Sequence, residues 1–192
     1  MQPLIDNARL FGQRPEEFAK LAEGQSPQVL FITCSDSRVV PALITGARPG
    51  ELFELRTAGN IVPPYASEHP TSEAATIEYA VEVLGVTDIV VCGHSHCGAV
   101  GALVRGDDLT AVPAVRDWLA RAEPRPAGAV EDPAVAEGVQ SHVLAQVLRL
   151  RSYPFIEAKL AARHLTLRAW YYEVHTGAVL EHRPDTDAFQ AL

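Results

Sequence analysis

Two short segments of the sequence carry residue types that bind a soft metal ion. One is CSDSR at residues 34–38, and the other is HSHC at residues 94–97. Two thiols and one imidazole form a typical zinc ligand set, and a zinc ion that does chemistry usually has three protein ligands and one water. The sequence therefore predicts a zinc ion bound by Cys34, His94 and Cys97. Whether water or a protein group occupies the fourth coordination position of the zinc then decides between a catalytic and a structural role.

Each ligand segment follows an apolar run that is typical of a buried parallel strand. Residues 29–33 lead into Cys34, and residues 88–93 lead into His94. Residues 99–104 look helical, which puts Cys97 in the first turn of a helix, three residues beyond His94. Because sites in open α/β sheets form beyond the carboxyl ends of strands, we expect both segments to meet at one edge.

Other roles for the cysteines stay open at this stage. Cys34 and Cys97 could form a disulfide or could be buried thiols without a ligand. The first residues contain no cationic region followed by an apolar segment, so no secretory signal is expected. In the cytoplasm, a thiol pair is more often metal-binding or catalytic than disulfide-bonded. Cys92, in the middle of a strand, is predicted to be buried and without chemistry.

His94 is a better candidate ligand than His96. His94 ends the strand and can chelate an ion together with Cys97 across one helical turn, whereas His96 is adjacent to Cys97 and would point elsewhere. His96 is then a solvated loop residue or, less favoured, a proton carrier, because the ordinary pKa of histidine lies near neutrality.

Asp36 and Arg38 can form an ion pair beside the first ligand. An arginine that binds a carboxylate through two hydrogen bonds fixes its orientation as well as neutralising it. The alternative is a helix-capping aspartate with an incidental partner. Beside a metal ligand we favour the functional interpretation, in which Asp36 is either a fourth zinc ligand or, restrained by Arg38, an acceptor that orients zinc-bound water.

With these residues in place, the chain resembles the β-class carbonic anhydrases. The resemblance covers the first two-thirds of the chain almost without a break. The last third of the chain matches more loosely, with segments near residues 167–174 and 178–181 that resemble the family's closing strands. The matching segments, in order, are GQSP (24–27), CSDSR (34–38), PGELF (49–53), AGNIVPPY (58–65), IEYAV (77–81) and CGHSHCGA (92–99).

The resemblance implies specific roles for residues of this chain. It implies one zinc ion per subunit on Cys34, His94 and Cys97, with Asp36 and Arg38 as the adjacent dyad. It also implies a substrate pocket at a dimer interface, built by groups from both subunits. The residues matched to that substrate pocket are Gln25, Phe53, Ala58, Tyr79 and Gly98.

The chain departs from the family pattern at two positions. Thr57 follows Arg56 where many relatives carry asparagine, and a hydroxyl replaces only some of an amide's hydrogen bonds. Phe31 stands three residues before the first ligand, where one subgroup carries a tryptophan that helps bind inhibitory bicarbonate. The resemblance thus points to the other subgroup, in which zinc keeps an open position.

The implied reaction is the reversible hydration of carbon dioxide to bicarbonate and a proton, by attack of zinc-bound hydroxide. An alternative is a related zinc hydrolase that acts on carbon disulfide or carbonyl sulfide, which the residues around zinc do not distinguish. A third and weaker alternative is a non-catalytic zinc-binding structural protein. It is disfavoured because structural zinc has no evident need of Asp36, Arg38 and Gln25.

The remaining features agree with a single α/β domain over residues 1–192, located in the cytoplasm. We expect a central, mainly parallel sheet with a strand at residues 51–56 and flanking helices near residues 72–84 and 135–150. Residues 124–129 are predicted to form a surface loop. A net charge of −8 disfavours nucleic acid and anionic membranes as partners, and no apolar run reaches transmembrane length.

The N-terminal region has the pattern of an amphipathic helix over residues 3–22. Taken alone, such a helix packs on its own sheet. The resemblance implies instead that residues 1–24 form a helical arm that packs on a partner subunit, in a homodimer or a dimer of dimers.

Overall fold

A six-stranded sheet forms the centre of the computed structural model, which describes residues 1–13, 18–123 and 125–192. The strands run in the order β2-β1-β3-β4-β5-β6; the pairs among β2, β1, β3 and β4 are parallel, and β5 and β6 are antiparallel. This confirms the predicted mainly parallel sheet. The strands are β1 (Val29–Cys34), β2 (Leu52–Thr57), β3 (Asp88–His94), β4 (Thr166–Tyr172), β5 (Val179–Arg183) and β6 (Ala188–Ala191).

The sheet is flanked by helices, and the helices predicted near residues 72–84, 99–104 and 135–150 are confirmed. The first is an α-helix over Ser72–Glu78 that continues as a π-helix over Tyr79–Val83. Thr71 caps the first of these through its hydroxyl, and Asp132 accepts hydrogen bonds at the start of the long third one. The helices are α1 (Gln2–Phe11), α2 (Pro41–Thr45), α3 (Ser72–Glu78), α4 (Gly98–Arg105), α5 (Pro113–Leu119), α6 (Ala136–Arg151) and α7 (Pro154–Ala161). Within the described ranges, no helix has both the length and the apolar character needed to cross a membrane.

The main core lies between one face of the sheet and the helices, above all α6. Gly93 lets α6 approach β3 closely, since a Cβ atom there would lie 2.5 Å from Val139 Cγ1 and 2.6 Å from Val143 Cγ2. The residue after Gly93 is His94, so this close packing fixes the end of β3 where a predicted metal ligand stands.

The opposite face of the sheet carries a second apolar cluster around Phe31, Val90 and Cys92. Phe31 contacts Trp170 edge to face, with ring centroids 5.9 Å apart. Next to this cluster lies a cavity of about 730 Å³, lined by residues from the β1 region, the loop before β2 and strand β4. Burial raises the pKa of Cys92 to about 12, in keeping with its predicted role as a buried residue without chemistry.

The prediction of one helix over residues 3–22 is wrong. Helix α1 ends at Phe11, Gly12 follows it, and Ala19–Glu23 forms a separate 3₁₀ turn. Residues 14–17 lie outside the described part of the chain. Glycine is a poor helix former, so the apolar periodicity that continues past Gly12 extended further than the backbone chemistry allowed.

The loop predicted at residues 124–129 contains no helix or strand over residues 125–129, and Pro124 lies outside the described residues. Strand β6 was not predicted. It contains four residues and a single large apolar side chain, Phe189, which gives too short a pattern to recognise.

Candidate metal centre

The structure brings together the three residues that the sequence predicts as metal ligands. Cys34 ends β1, His94 ends β3, and these two strands are parallel neighbours. Cys97 is the residue before α4 rather than a residue of its first turn, because its backbone is still extended. The ligand atoms of Cys34, His94 and Cys97 all lie within 4.8 Å of one another, and all three residues are buried.

The imidazole of His94 is oriented for metal binding. Its Nδ1 atom lies 2.9 Å from the carbonyl oxygen of Ser95, and because a carbonyl only accepts, Nδ1 carries the hydrogen. The Nε2 atom then presents a lone pair, and it is buried without a hydrogen-bond partner among the described residues. Buried polar atoms are rarely left unpaired, so this nitrogen fits a metal ion.

His96 lies outside this group. It is exposed, its backbone has φ of 57°, and its Nδ1 atom is 2.9 Å from the carbonyl oxygen of Pro133. The left-handed turn at His96 separates the side chains of His94 and Cys97 from its own.

The two thiols strongly affect each other. The Cys97 thiol beside the Cys34 sulfur is the main cause that lowers the pKa of Cys34, and the Gly59 amide lowers it further. The same proximity raises the pKa of Cys97, with burial as the second cause. The cysteines are free, which removes the disulfide alternative. A cation would allow both sulfurs to be thiolates, since a coordinating thiol is deprotonated outright.

Asp36 and Arg38 form the predicted dyad beside the ligands. Arg38 Nε lies 2.9 Å from Asp36 Oδ1, and Arg38 Nη2 lies 2.7 Å from Asp36 Oδ2. Arg38 Nη2 also donates to the carbonyl oxygen of His96 at 3.1 Å, which ties the two ligand segments together. The hydrogen bonds from Arg38 hold the pKa of Asp36 well below its usual range. Asp36 Oδ2 lies 3.8 Å from His94 Nε2, beside the ligand group rather than within it.

Arg56 is a functional candidate that the sequence interpretation missed. Its guanidinium donates to the carbonyl oxygens of Cys34, Asp36 and Val39, at distances from 2.7 to 3.2 Å. These bonds fix the backbone that presents the first ligand and the dyad. The residue stands beside Thr33 in the β2–β1 pairing, and an arginine in a predicted strand was its one available signal.

Thr57 supports the same region through its backbone. Its carbonyl oxygen accepts a hydrogen bond from Ser35 N at 3.0 Å, and its buried hydroxyl lies 3.4 Å from the carbonyl oxygen of Ile61. The hydroxyl therefore closes the turn that follows β2.

The residues matched to a substrate pocket divide into two groups. Ala58 and Gly98 are next to residues of the centre, because Ala58 precedes the Gly59 amide and Gly98 follows Cys97. Gln25 instead lines the 730 Å³ cavity near Phe31 and Trp170. Phe53 and Tyr79 pack against each other, with ring centroids 6.0 Å apart, and Phe53 is four strand residues from Thr57, or roughly 13 Å. One chain alone does not bring Gln25, Phe53 and Tyr79 to the metal ligands.

The comparisons with known proteins agree with this architecture. A family model described as carbonic anhydrase matches residues 29–179. The carbonic anhydrase of Pseudomonas aeruginosa is 46% identical over 190 residues, covering 93% of this chain and 86% of that protein. The carbonic anhydrase of Synechococcus elongatus is 40% identical over 194 residues, covering 94% of this chain and 71% of that protein.

Solved structures give the same result. The β-carbonic anhydrase CcaA superposes with a TM-score of 0.90 at 36% identity, covering 100% of this chain and 99% of that chain. A structure from a study of two tetrameric β-carbonic anhydrases from Sordaria macrospora has a TM-score of 0.78 at 31% identity, with 94% of each chain covered. Together with the matching fold and the Cys-His-Cys centre, these similarities show that the chain belongs to the β-carbonic anhydrase family of enzymes.

Proposed function

We propose that this protein catalyses the reversible hydration of carbon dioxide to bicarbonate and a proton, with one zinc ion per subunit bound by Cys34, His94 and Cys97. The observation that carries the proposal is the buried, unpartnered Nε2 atom of His94, which lies with two thiols beside an arginine-bound carboxylate. That donor set suits zinc, with three protein ligands and room for a fourth. Membership of the family supports the same reaction.

The ion and the protein residues have separate tasks in this proposal. When bound, zinc lowers the pKa of a coordinated water from about 15.7 to about 7, which supplies a nucleophile at neutral pH. His94 is held in the ligating tautomer by the Ser95 carbonyl. The two sulfurs are placed by the end of β1 and the start of α4, so the ligand geometry is set by regular elements.

Asp36 orients the attacking water. Its Oδ1 atom accepts hydrogen bonds from the backbone N and the Nε of Arg38, whereas its Oδ2 atom accepts one, from Nη2. Oδ2 keeps acceptor capacity on the side that faces His94 Nε2. Because the pKa of Asp36 is far below neutrality, the carboxylate accepts a hydrogen bond without retaining the proton, which passes to solvent. Arg38 keeps this carboxylate from turning onto the ligands.

Hydration of carbon dioxide by the zinc-loaded protein tests the proposal. We expect stopped-flow assays with a pH indicator to give kcat/KM above about 10⁴ M⁻¹ s⁻¹, the lower end of the usual range for enzymes. Protein that contains one zinc ion per chain but hydrates carbon dioxide no faster than buffer would contradict the proposal.

We also propose that the active unit is a homodimer or a dimer of dimers. Helix α1 has no buried residue, and Leu4, Leu10 and Phe11 are more than half exposed, which leaves an apolar arm for a partner. Tyr79 is 44% exposed on the outside of the chain. The Sordaria macrospora relatives are described as tetrameric.

The free thiols also favour a reducing compartment such as the cytoplasm.

Gln25 is proposed to donate a hydrogen bond to the substrate of the partner subunit. A hydrogen bond to a charged group contributes about 1.5–3 kcal/mol, so Gln25→Ala is expected to lower kcat/KM about ten- to a hundredfold. Gln28→Ala is the matched control, because Gln28 lines the same cavity and carries the same amide. Equal kinetics for the two variants would remove Gln25 from the site.

Mixed dimers distinguish a role across the interface from a role within one chain. One protomer carries Cys34→Ala and keeps Gln25; the other carries Gln25→Ala and keeps its ligands. If Gln25 acts across a two-fold interface, one of the two sites is complete, and the mixed dimer should show about half of the wild-type activity. If Gln25 acts within its own chain, neither site is complete, and the mixed dimer should show about half of the activity of the Gln25→Ala dimer.

A further inference from the structure

A chain of hydrogen bonds connects helix α6 to the sulfur of Cys34. The Gly59 amide lies 3.4 Å from Cys34 Sγ, and the carbonyl oxygen of Gly59 lies 2.7 Å from His142 Nε2. His142 Nδ1 lies 3.4 Å from Gln146 Nε2, and Gln146 Oε1 accepts a hydrogen bond from Val62 N at 2.9 Å. His142 and Gln146 are buried, with 0% and 1% exposure, and neither belongs to the ligand group or the dyad.

The backbone groups at the two ends of this hydrogen-bond series, the Val62 N–H and the Gly59 carbonyl, determine which group donates in each bond. The Val62 amide can only donate, so the oxygen of Gln146 accepts, and its NH₂ group is left to donate to His142 Nδ1. The Gly59 carbonyl can only accept, so His142 carries its hydrogen on Nε2. A neutral imidazole with one tautomer satisfies both ends, and burial lowers the pKa of His142, which favours that neutral form.

The turn that carries the Gly59 amide is held by side chains from outside it. Gly59 and Asn60 both have positive φ, 74° and 47°, a backbone region that glycine and asparagine adopt more readily than other residues. The side-chain amide of Asn60 is buried and has no partner in the described part of the chain, so it adds no local hydrogen bond. The anchors are side chains of helices: His142 on Gly59, Gln146 on Val62, and Trp118, which donates to the Ala58 carbonyl at 2.8 Å.

We propose that His142 and Gln146 are positioning residues of the metal centre, which hold the backbone on the C-terminal side of Gly59 so that the Gly59 N–H faces the sulfur of Cys34. The inference rests on the proposed function, because it takes Cys34 as a ligand. An amide that donates to a metal-bound sulfur draws charge from it and fixes its direction, and such outer partners typically change metal affinity or activity by about 10- to 100-fold. The pair lies one helical turn apart on α6, so both contacts depend on one rigid element.

His142→Leu removes the donor to Gly59 and keeps an apolar side chain in the core. We expect zinc affinity, measured by competition with a chelator, to fall about 10- to 100-fold. In the cobalt-substituted protein, the thiolate-to-cobalt charge-transfer band should move to longer wavelength, because the Gly59 N–H is no longer held against the sulfur, and a sulfur with a weaker hydrogen bond holds its electrons less tightly. His142→Gln can place an amide nitrogen near the Nε2 position and should restore both measurements to near the wild-type values.

Leu150→Ala is the matched control for lost stability, since Leu150 is a fully buried α6 residue in the main core and takes no part in the hydrogen-bond chain. It should lower the unfolding free energy while the cobalt band keeps its position. If His142→Leu does not fold, Gln146→Met serves as the milder test, because it removes the amide that orients His142 and Val62.

The inference is wrong if a folded variant of His142 or Gln146 keeps the zinc affinity and the cobalt band of the wild type, or changes them no more than Leu150→Ala does. Failure of the proposed function gives a different result. In that case the wild-type cobalt protein itself shows no thiolate band, or the wild-type zinc protein hydrates no carbon dioxide.

Discussion

Cys34→Ala is expected to lose the zinc ion and, with it, the hydration of carbon dioxide. Cys34 supplies one of three ligand atoms that lie within 4.8 Å of one another, and Asp36 is held by Arg38 rather than free to replace it. Since loss of an outer partner alone costs about 10- to 100-fold in metal affinity, loss of the ligand itself should cost more than about 100-fold. Zinc per chain, measured by mass spectrometry after dialysis against a chelator, checks the result.

Cys92→Ala is the matched control for this experiment. It makes the same substitution on strand β3, but the Cys92 side chain packs with Phe31 and Val90 and lies outside the ligand group. Removal of one buried sulfur should lower the unfolding free energy by about 1 kcal/mol and leave zinc bound. A Cys34→Ala protein with one zinc ion per chain would remove Cys34 from the centre.

Asp36→Asn is expected to lower kcat at least about 100-fold while zinc remains bound, because misplacing a reacting group by about 1 Å can cost that much. An amide has one acceptor and one donor side. If its NH₂ group takes the Oδ2 position, it opposes the Nη2 donor of Arg38 and cannot accept a hydrogen bond from the attacking water. If its NH₂ group takes the Oδ1 position, it opposes the Nε donor of Arg38. Stopped-flow kinetics together with zinc analysis separate these effects from loss of metal.

The chain contains a matched control for that substitution. Arg105 and Asp107 are two positions apart, as Asp36 and Arg38 are, but the arginine comes first. Arg105 donates from Nε to Asp107 Oδ1 at 3.2 Å and from Nη2 to Asp107 Oδ2 at 2.8 Å. This pair is on the surface, where such ion pairs contribute about 0–1 kcal/mol. Asp107→Asn should therefore leave kcat unchanged. If Asp36→Asn were as active as Asp107→Asn, the role assigned to the Asp36 carboxylate would be wrong.

The sequence predicted the sheet and the meeting point of the ligands because both follow from local patterns. Apolar runs of strand length ended at Cys34 and at His94, and parallel strands present their carboxyl ends at one edge. The N-terminal helix was predicted too long, because the apolar periodicity was followed past Gly12. Hydrophobic pattern and backbone propensity disagreed there, and the backbone determined where α1 ends.

The supports of the site could not be predicted in the same way. Arg56, His142 and Gln146 act through bonds to backbone groups that are distant in sequence, such as His142 to Gly59 across 83 positions. For His142 and Gln146, the local signal was their spacing of four positions on the helix face that faces the core. Polar groups on such a face need buried partners, which a sequence does not name.

The central claim is that Cys34, His94 and Cys97 bind zinc and leave one position to an exchangeable ligand. X-ray absorption at the zinc edge tests it most directly. The claim predicts two sulfur neighbours at about 2.3 Å and two lighter neighbours at about 2.0–2.2 Å, one of which is replaced when iodide is added. A spectrum with three or more sulfurs, or four neighbours that iodide leaves unchanged, would contradict it.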